Sequence, residues 1–162
     1  MKNKKVLYLT QAAIIAALYI VLTFLANAFG LASGSIQIRL SEALTILPFF
    51  TPAAIPGLFI GCLLSNVLTG CVLLDIIFGS IATLIGAVGS YLLRKNKYLV
   101  PIPPIVANAV IVPFVLIYGY GLPSASFPFF VVTVAIGEII SCGVLGLLLL
   151  KALNKHRTTL FG

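Results

Sequence analysis

The chain has 162 residues, of which 61% are hydrophobic and 8% charged. Soluble domains carry about 25% charged residues, so this composition excludes an ordinary soluble domain and marks an integral membrane protein. Ten Lys and Arg against three acids give a net charge of +7, but the basic residues form short flanks of apolar runs, which argues against a nucleic-acid partner.

Lys2, Lys4 and Lys5 open the chain, and an apolar run from Val6 to Leu25 follows. Ala26-Asn27-Ala28 has the look of a signal-peptide cleavage site. The run is longer than the ~7–15 residues of a signal h-region, so a retained helix is predicted over 6–28. A polar loop, Gly30 to Leu40, leads to a short second helix at 41–50. As an α-helix it would span about 16 Å, half of the ~30 Å hydrocarbon core, so it must be shielded by protein or sit near one interface. Thr51-Pro52 separates it from a third helix at 53–69, because proline removes a donor and biases its neighbour away from helix. Thr69-Gly70 separates the third from a fourth at 73–93. The basic cluster Arg94/Lys95/Lys97 follows, then a fifth helix at 102–121, the turn Leu122-Pro123-Ser124, and a sixth helix at 127–150. Lys151, Lys155 and Arg157 close the chain, with the one histidine, His156, in this basic tail.

By the positive-inside rule the three basic clusters face the cytoplasm, so even numbers of crossings separate them. The expected architecture is one all-α transmembrane domain over 1–162, a six-helix bundle with both termini cytoplasmic in the plasma membrane of a prokaryote. No internal repeat of broken helices is visible, which weakens an inverted-repeat transporter. The chain has no GxxxxGK[ST], HExxH or Gx[SC]xG motif, so neither ATP hydrolysis nor hydrolase chemistry is signalled. Cys62, Cys71 and Cys142 form no CxxC, have no neighbouring histidine and lie in apolar segments, where they read as small hydrophobes in helix contacts. No metal site and no cofactor are expected.

The three acids, Glu42, Asp75 and Glu138, lie inside or at the edge of apolar runs, and Arg39 accompanies them. A carboxylate in lipid costs about 2.5–3.5 kcal/mol or more, so it persists where it has a role. In the six-helix topology Arg39, Glu42, Asn66, Asp75, Tyr118 and Glu138 come from five helices and all face the outer half, whereas Asn108 is the main polar residue of the inner half. The asymmetry points to an external pocket rather than a through-pore. Plainer roles exist for most of them. Arg39 and Glu42 could pair on one helix face, Asp75 could cap the fourth helix, Asn66 could bridge helices and Tyr118 could anchor at the interface. Glu138 is mid-helix and demands a cation, donors or a ligand. Two overlapping AxxxA patterns, Ala12/Ala16 and Ala13/Ala17, and the spacing Gly57/Gly61/Ser65 offer close-packing faces. The glycine face is expected to pack internally and the alanine face to dock a partner.

The stretch from Ser35 to Cys62, SIQIRLSEALTILPFFTPAAIPGLFIGC, and the continuation LDIIFGSIATL from Leu74 resemble the QueT family of queuosine-precursor transporters. The similarity covers most of the chain and is densest from Gly34 to Gly86. The resemblance implies an S-component of an energy-coupling factor (ECF) transporter: a six-helix substrate-capture subunit working with a membrane T-component and two cytoplasmic ATPases. On that reading Ala12, Ala13, Ala16 and Ala17 form the motif that docks on the T-component. The loaded subunit tips over in the membrane and ATP hydrolysis by the partners resets it. The implied substrate is a 7-deazaguanine such as preQ0, preQ1 or queuine. Its N–H and NH2 donors suit a bidentate carboxylate from Glu138 or Asp75. Its O6 and N7 acceptors suit Arg39 or Asn66, and its ring suits an apolar slot made by Phe29, Phe78 or Tyr118. Glu42 or Asp75 would meet an aminomethyl cation. The alternatives are an S-component for another vitamin, and a proton-coupled secondary transporter with Glu138 as proton carrier.

Overall fold

The computed structural model describes residues 3–31 and 36–161. Lys2 of the first basic cluster, and Gly34 and Ser35 of the first loop, lie outside the described residues. Within them the chain is helical with no strand. Helix α1 is Lys4–Ala28, started by Asn3, whose side chain accepts from the Lys5 N–H at 3.2 Å. Helix α2 is Leu40–Phe49, α3 Ala54–Leu68, α4 Asp75–Leu92 and α5 Ile102–Tyr118. Helix α6 is Ser124–Asn154 and α7 is the short Arg157–Phe161. Helices α1, α4 and α6 are long and apolar enough to cross a membrane, and α2, α3 and α5 are shorter apolar helices. Gly70 ends the α3 segment at φ +73°, a left-handed geometry that costs glycine little.

Helix α2 is not an α-helix. It is a ten-residue 3-10 helix with Pro48 inside it. At about 2.0 Å per residue it reaches roughly 20 Å, further than the 16 Å expected of an α-helix of that length. Every residue from Ser41 to Pro48 is buried, so protein shields it. Leu44, Ile46 and Leu47 join Ile15, Leu58 and Leu150 in the core cluster. Helices α1, α3, α4 and α6 pack around α2, and α6 leaves room for it with glycines. Gly146 of α6 faces Ile46, where a Cβ would lie 2.9 Å from the Ile46 Cγ2. Gly137 lies against the backbone carbonyl of Gln37, so the chain entering α2 runs directly across α6.

Helices α1 and α3 meet along small residues. A Cβ on Gly57 would lie 2.7 Å from the Ala12 carbonyl oxygen, and one on Gly61 would lie 3.0 Å from the Ala16 Cα. The glycine face packs internally, as expected, but Ala12 and Ala16, expected on the docking face, are what it packs against. Ala12 and Ala16 are buried inside the bundle, and their partner is the Gly57/Gly61 face of the same chain. Ala13 and Ala17, one residue on, point outward and stay exposed.

Candidate functional site

A cavity of about 510 Å³ opens among the C-terminal ends of α1, α3 and α5 and the start of α4. Of the described basic residues, Lys4, Lys5, Arg94, Lys95 and Arg157 lie at the opposite ends of their helices or just beyond them. The polar wall of the cavity is built by Tyr19, Gln37, Arg39, Asn66, Asp75 and Tyr120, and Val112, Val115 and Leu116 of α5 supply an apolar side. Volume and lining both fall in the range of small-molecule sites, which run about 300–1,000 Å³ with a few converging polar groups.

Asp75 begins α4 and makes no side-chain cap. The Tyr120 hydroxyl donates to its Oδ2 at 2.9 Å, and Asn66 Nδ2 donates to its backbone carbonyl at 3.2 Å. Burial, followed by the adjacent Asp75 charge, raises the Tyr120 phenol above its ordinary value, so Tyr120 remains a protonated donor. The other oxygen, Asp75 Oδ1, is buried and has no hydrogen-bond partner among the described residues. Leaving such an acceptor unmatched costs about 1–3 kcal/mol or more. Gly79, one turn on, makes room for it: a Cβ there would lie 2.8 Å from Oδ1 and 3.2 Å from Asn66 Nδ2. The turn between them, Asp75–Gly79, is π-helical, a distortion frequent at functional sites.

Arg39 precedes α2 and is fixed by its backbone N–H, which donates to Ser141 Oγ at 3.2 Å. Its side chain lines the cavity. Glu42 draws its hydrogen bonds from Tyr19 and Asn108 rather than from Arg39. Glu42 and Glu138 are both buried and do not line the cavity. They form a second polar cluster behind it. The Tyr19 hydroxyl donates to Glu42 Oε1. Asn108 reaches Glu42 Oε2 at 3.5 Å, and the Cys142 thiol donates to Glu138 Oε2 at 3.1 Å. Thr45 donates to the Glu42 backbone carbonyl at 2.6 Å. Ligand-capable atoms of Glu42, Glu138 and Cys142 lie within 4.8 Å of one another, but Tyr19 and Asn108 already engage the Glu42 carboxylate. A second π-helical stretch, Ile139–Leu145, follows Glu138 directly and carries Ser141 and Cys142.

The structure therefore brings together Arg39, Asn66 and Asp75 at the cavity wall and sets Glu42 and Glu138 behind it. Tyr118 does neither: it is 74% exposed, while Tyr120, two residues on, lines the cavity. Phe29 is 73% exposed and Phe78 45% exposed, and neither lines the cavity. Tyr19 is a site member that the sequence reading did not single out. The available signal was its place in mid-helix, three residues beyond Ala16 on the buried stripe of α1.

Apolar helices around a polar-walled cavity at one end of the bundle define a multi-pass membrane protein with a cavity of small-molecule size. The QueT transporter family matches residues 9–155. The chain belongs to the QueT transporter family. It is also 38% identical over 85 residues, 52% of the chain, to the "Queuosine precursor transporter QueT" of Lactococcus lactis subsp. cremoris (strain MG1363), and the match spans half of that relative's length. No solved structure matches the chain.

Proposed function

We propose that the chain is the substrate-binding S-component of an ATP-driven ECF importer and captures a queuosine precursor, a 7-deazaguanine, from outside the cell. The observation that carries the ligand assignment is the pairing of two charged residues, Asp75 and Arg39, on the wall of one cavity, with no hydrogen bond satisfying Asp75 Oδ1 among the described residues. A deazaguanine answers both. Its N–H and NH2 groups donate to Asp75, and its O6 accepts from Arg39 or from the Asn66 amide. The α5 side of the cavity receives the ring. In this reading the six longer helices all cross or enter the membrane, with α2 as the short central one. The positive-inside rule supports cytoplasmic termini and an outward-facing cavity in this reading.

Thermal melting of the purified protein against preQ0, preQ1, queuine, guanine and unrelated vitamins tests the ligand. A ligand that binds only the folded form, at 100 times its Kd, stabilises it by ~2.7 kcal/mol. Stabilisation by a deazaguanine alone supports the reading; stabilisation by a vitamin alone assigns the cavity to that vitamin.

The partners in this reading are a membrane T-component and two cytoplasmic ATPases. The exposed pair Ala13/Ala17 is the face left free to meet the T-component. Ala13→Leu/Ala17→Leu is expected to leave ligand binding unchanged and to cut cellular uptake about tenfold or more, the effect of losing ~1.4 kcal/mol of helix packing. Normal uptake by this variant removes the pair from the docking face.

A second reading, a proton-coupled secondary transporter, is favoured by the buried Glu42–Glu138 cluster beside the cavity. Accumulation of preQ1 in vesicles holding the purified chain alone, driven by a proton gradient, decides for it.

A further inference from the structure

A second cavity, of about 440 Å³, lies at the other end of the bundle. We propose that it binds the phosphate headgroup of an anionic glycerophospholipid and so clips the C-terminal helix α7 to the loop after α4.

Three cations converge on it from two separate elements: Arg94 and Lys95 beyond the end of α4, and Arg157 at the start of α7. Among the described residues no acidic side chain faces them. The chain has three acids in all, and Glu42, Asp75 and Glu138 are each buried elsewhere and absent from this lining. The two arginines lie over aromatic rings instead. The Arg94 guanidinium lies 3.8 Å from the centroid of the Tyr91 ring, and that of Arg157 lies 5.6 Å from the centroid of Phe49. An arginine on a ring keeps its N–H donors free, and its planar fork suits phosphate oxygens.

The rest of the lining distinguishes a lipid from a soluble anion. Phe49, Phe50 and Pro52 supply the apolar part of a mainly polar lining, and Phe161 of α7 stacks on Phe50 at 4.8 Å between centroids. Inorganic phosphate gains nothing from that apolar part. A glycerophospholipid sets its phosphate among the cations and its glycerol and first acyl carbons over the rings. The depth agrees. The cavity sits beyond Leu92, where candidate span α4 ends, and beside Arg157, shortly after Asn154, where candidate span α6 ends. That is the level at which headgroups lie.

The test is a binding titration of the purified full chain in neutral detergent with short-chain phosphatidylglycerol, phosphatidylcholine and inorganic phosphate. Phosphatidylglycerol is expected to bind in preference to phosphatidylcholine. Each of Arg94→Gln, Lys95→Gln and Arg157→Gln is expected to weaken it roughly fivefold, with about 100-fold loss in the triple variant. Lys4→Gln/Lys5→Gln removes charge outside the cavity and is expected to leave the affinity within about twofold, separating a site from overall charge. If the triple variant does not fold, the single variants carry the comparison. Equal affinity for both lipids, equal loss in the Lys4/Lys5 variant, or full occupancy by inorganic phosphate alone overturns the lipid site.

Discussion

Gly137→Ala is expected to destabilise the protein by about 1–3 kcal/mol or more, the usual cost of inserting atoms into a filled site. The added methyl would enter the space held by the Gln37 carbonyl, where the chain crosses α6 on its way into α2. Backbone cannot rotate aside as a side chain can. The displacement would also reach Arg39, two residues on, whose N–H is tied to Ser141 of the same helix. Stability and ligand binding should therefore fall together. Gly143→Ala is the internal control. Its new Cβ would meet nothing closer than Ile139 Cγ2 at 3.8 Å, an ordinary contact. Replacing glycine by alanine within a helix gains up to ~1 kcal/mol. Thermal melts of the two variants in one detergent check this, and equal melting temperatures would remove the crossing as a constraint.

The second large effect is on affinity. Arg39→Gln is expected to weaken preQ1 binding about 10- to 150-fold, the equivalent of the ~1.5–3 kcal/mol carried by a charged hydrogen bond. The substitution keeps much of the side-chain length and removes the charge. The Ser141 contact uses the backbone and survives. Tyr118→Ala is expected to leave the affinity unchanged, because that ring points away from the cavity and is mostly exposed. Glu138→Gln should act less strongly than Arg39→Gln, since its carboxylate lies behind the wall and meets the Cys142 thiol. Calorimetric titration of the three variants gives the order. A larger loss in Tyr118→Ala than in Arg39→Gln would move the site to the rim of α5.

The all-helical class was legible in the sequence because apolar runs between basic clusters leave few other structures in a bilayer. The breaks at Thr51-Pro52, Thr69-Gly70 and Leu122-Pro123 were legible for a local reason: proline and glycine act on their own backbone, and Gly70 does adopt the left-handed geometry. The 3-10 form of α2 was not. Its ten residues carry no 3-10 signature, and what holds them is surrounding protein, including Gly146 some hundred positions away. The same limit explains the alanines. Spacing shows that Ala12/Ala16 and Ala13/Ala17 are both close-packing pairs, but only the position of Gly57 and Gly61 shows which pair is already occupied. In the site, rarity of charge singled out Asp75, Glu42 and Glu138, which are buried, and Arg39, which is half-buried at the cavity. It could not sort wall from backing, because that depends on which neighbour satisfies each group. Tyr19 and Asn108 engage Glu42, while Asp75 Oδ1 is left unmatched.

The most direct measurement is an experimental structure of the protein with preQ1 bound. An outward-facing site predicts ligand density in the cavity between Asp75 and Arg39, with the Asp75 carboxylate accepting from the guanine-like edge and Glu42 still held by Tyr19. Density between Glu42 and Glu138, or at the lipid-facing surface with the cavity empty, would contradict it.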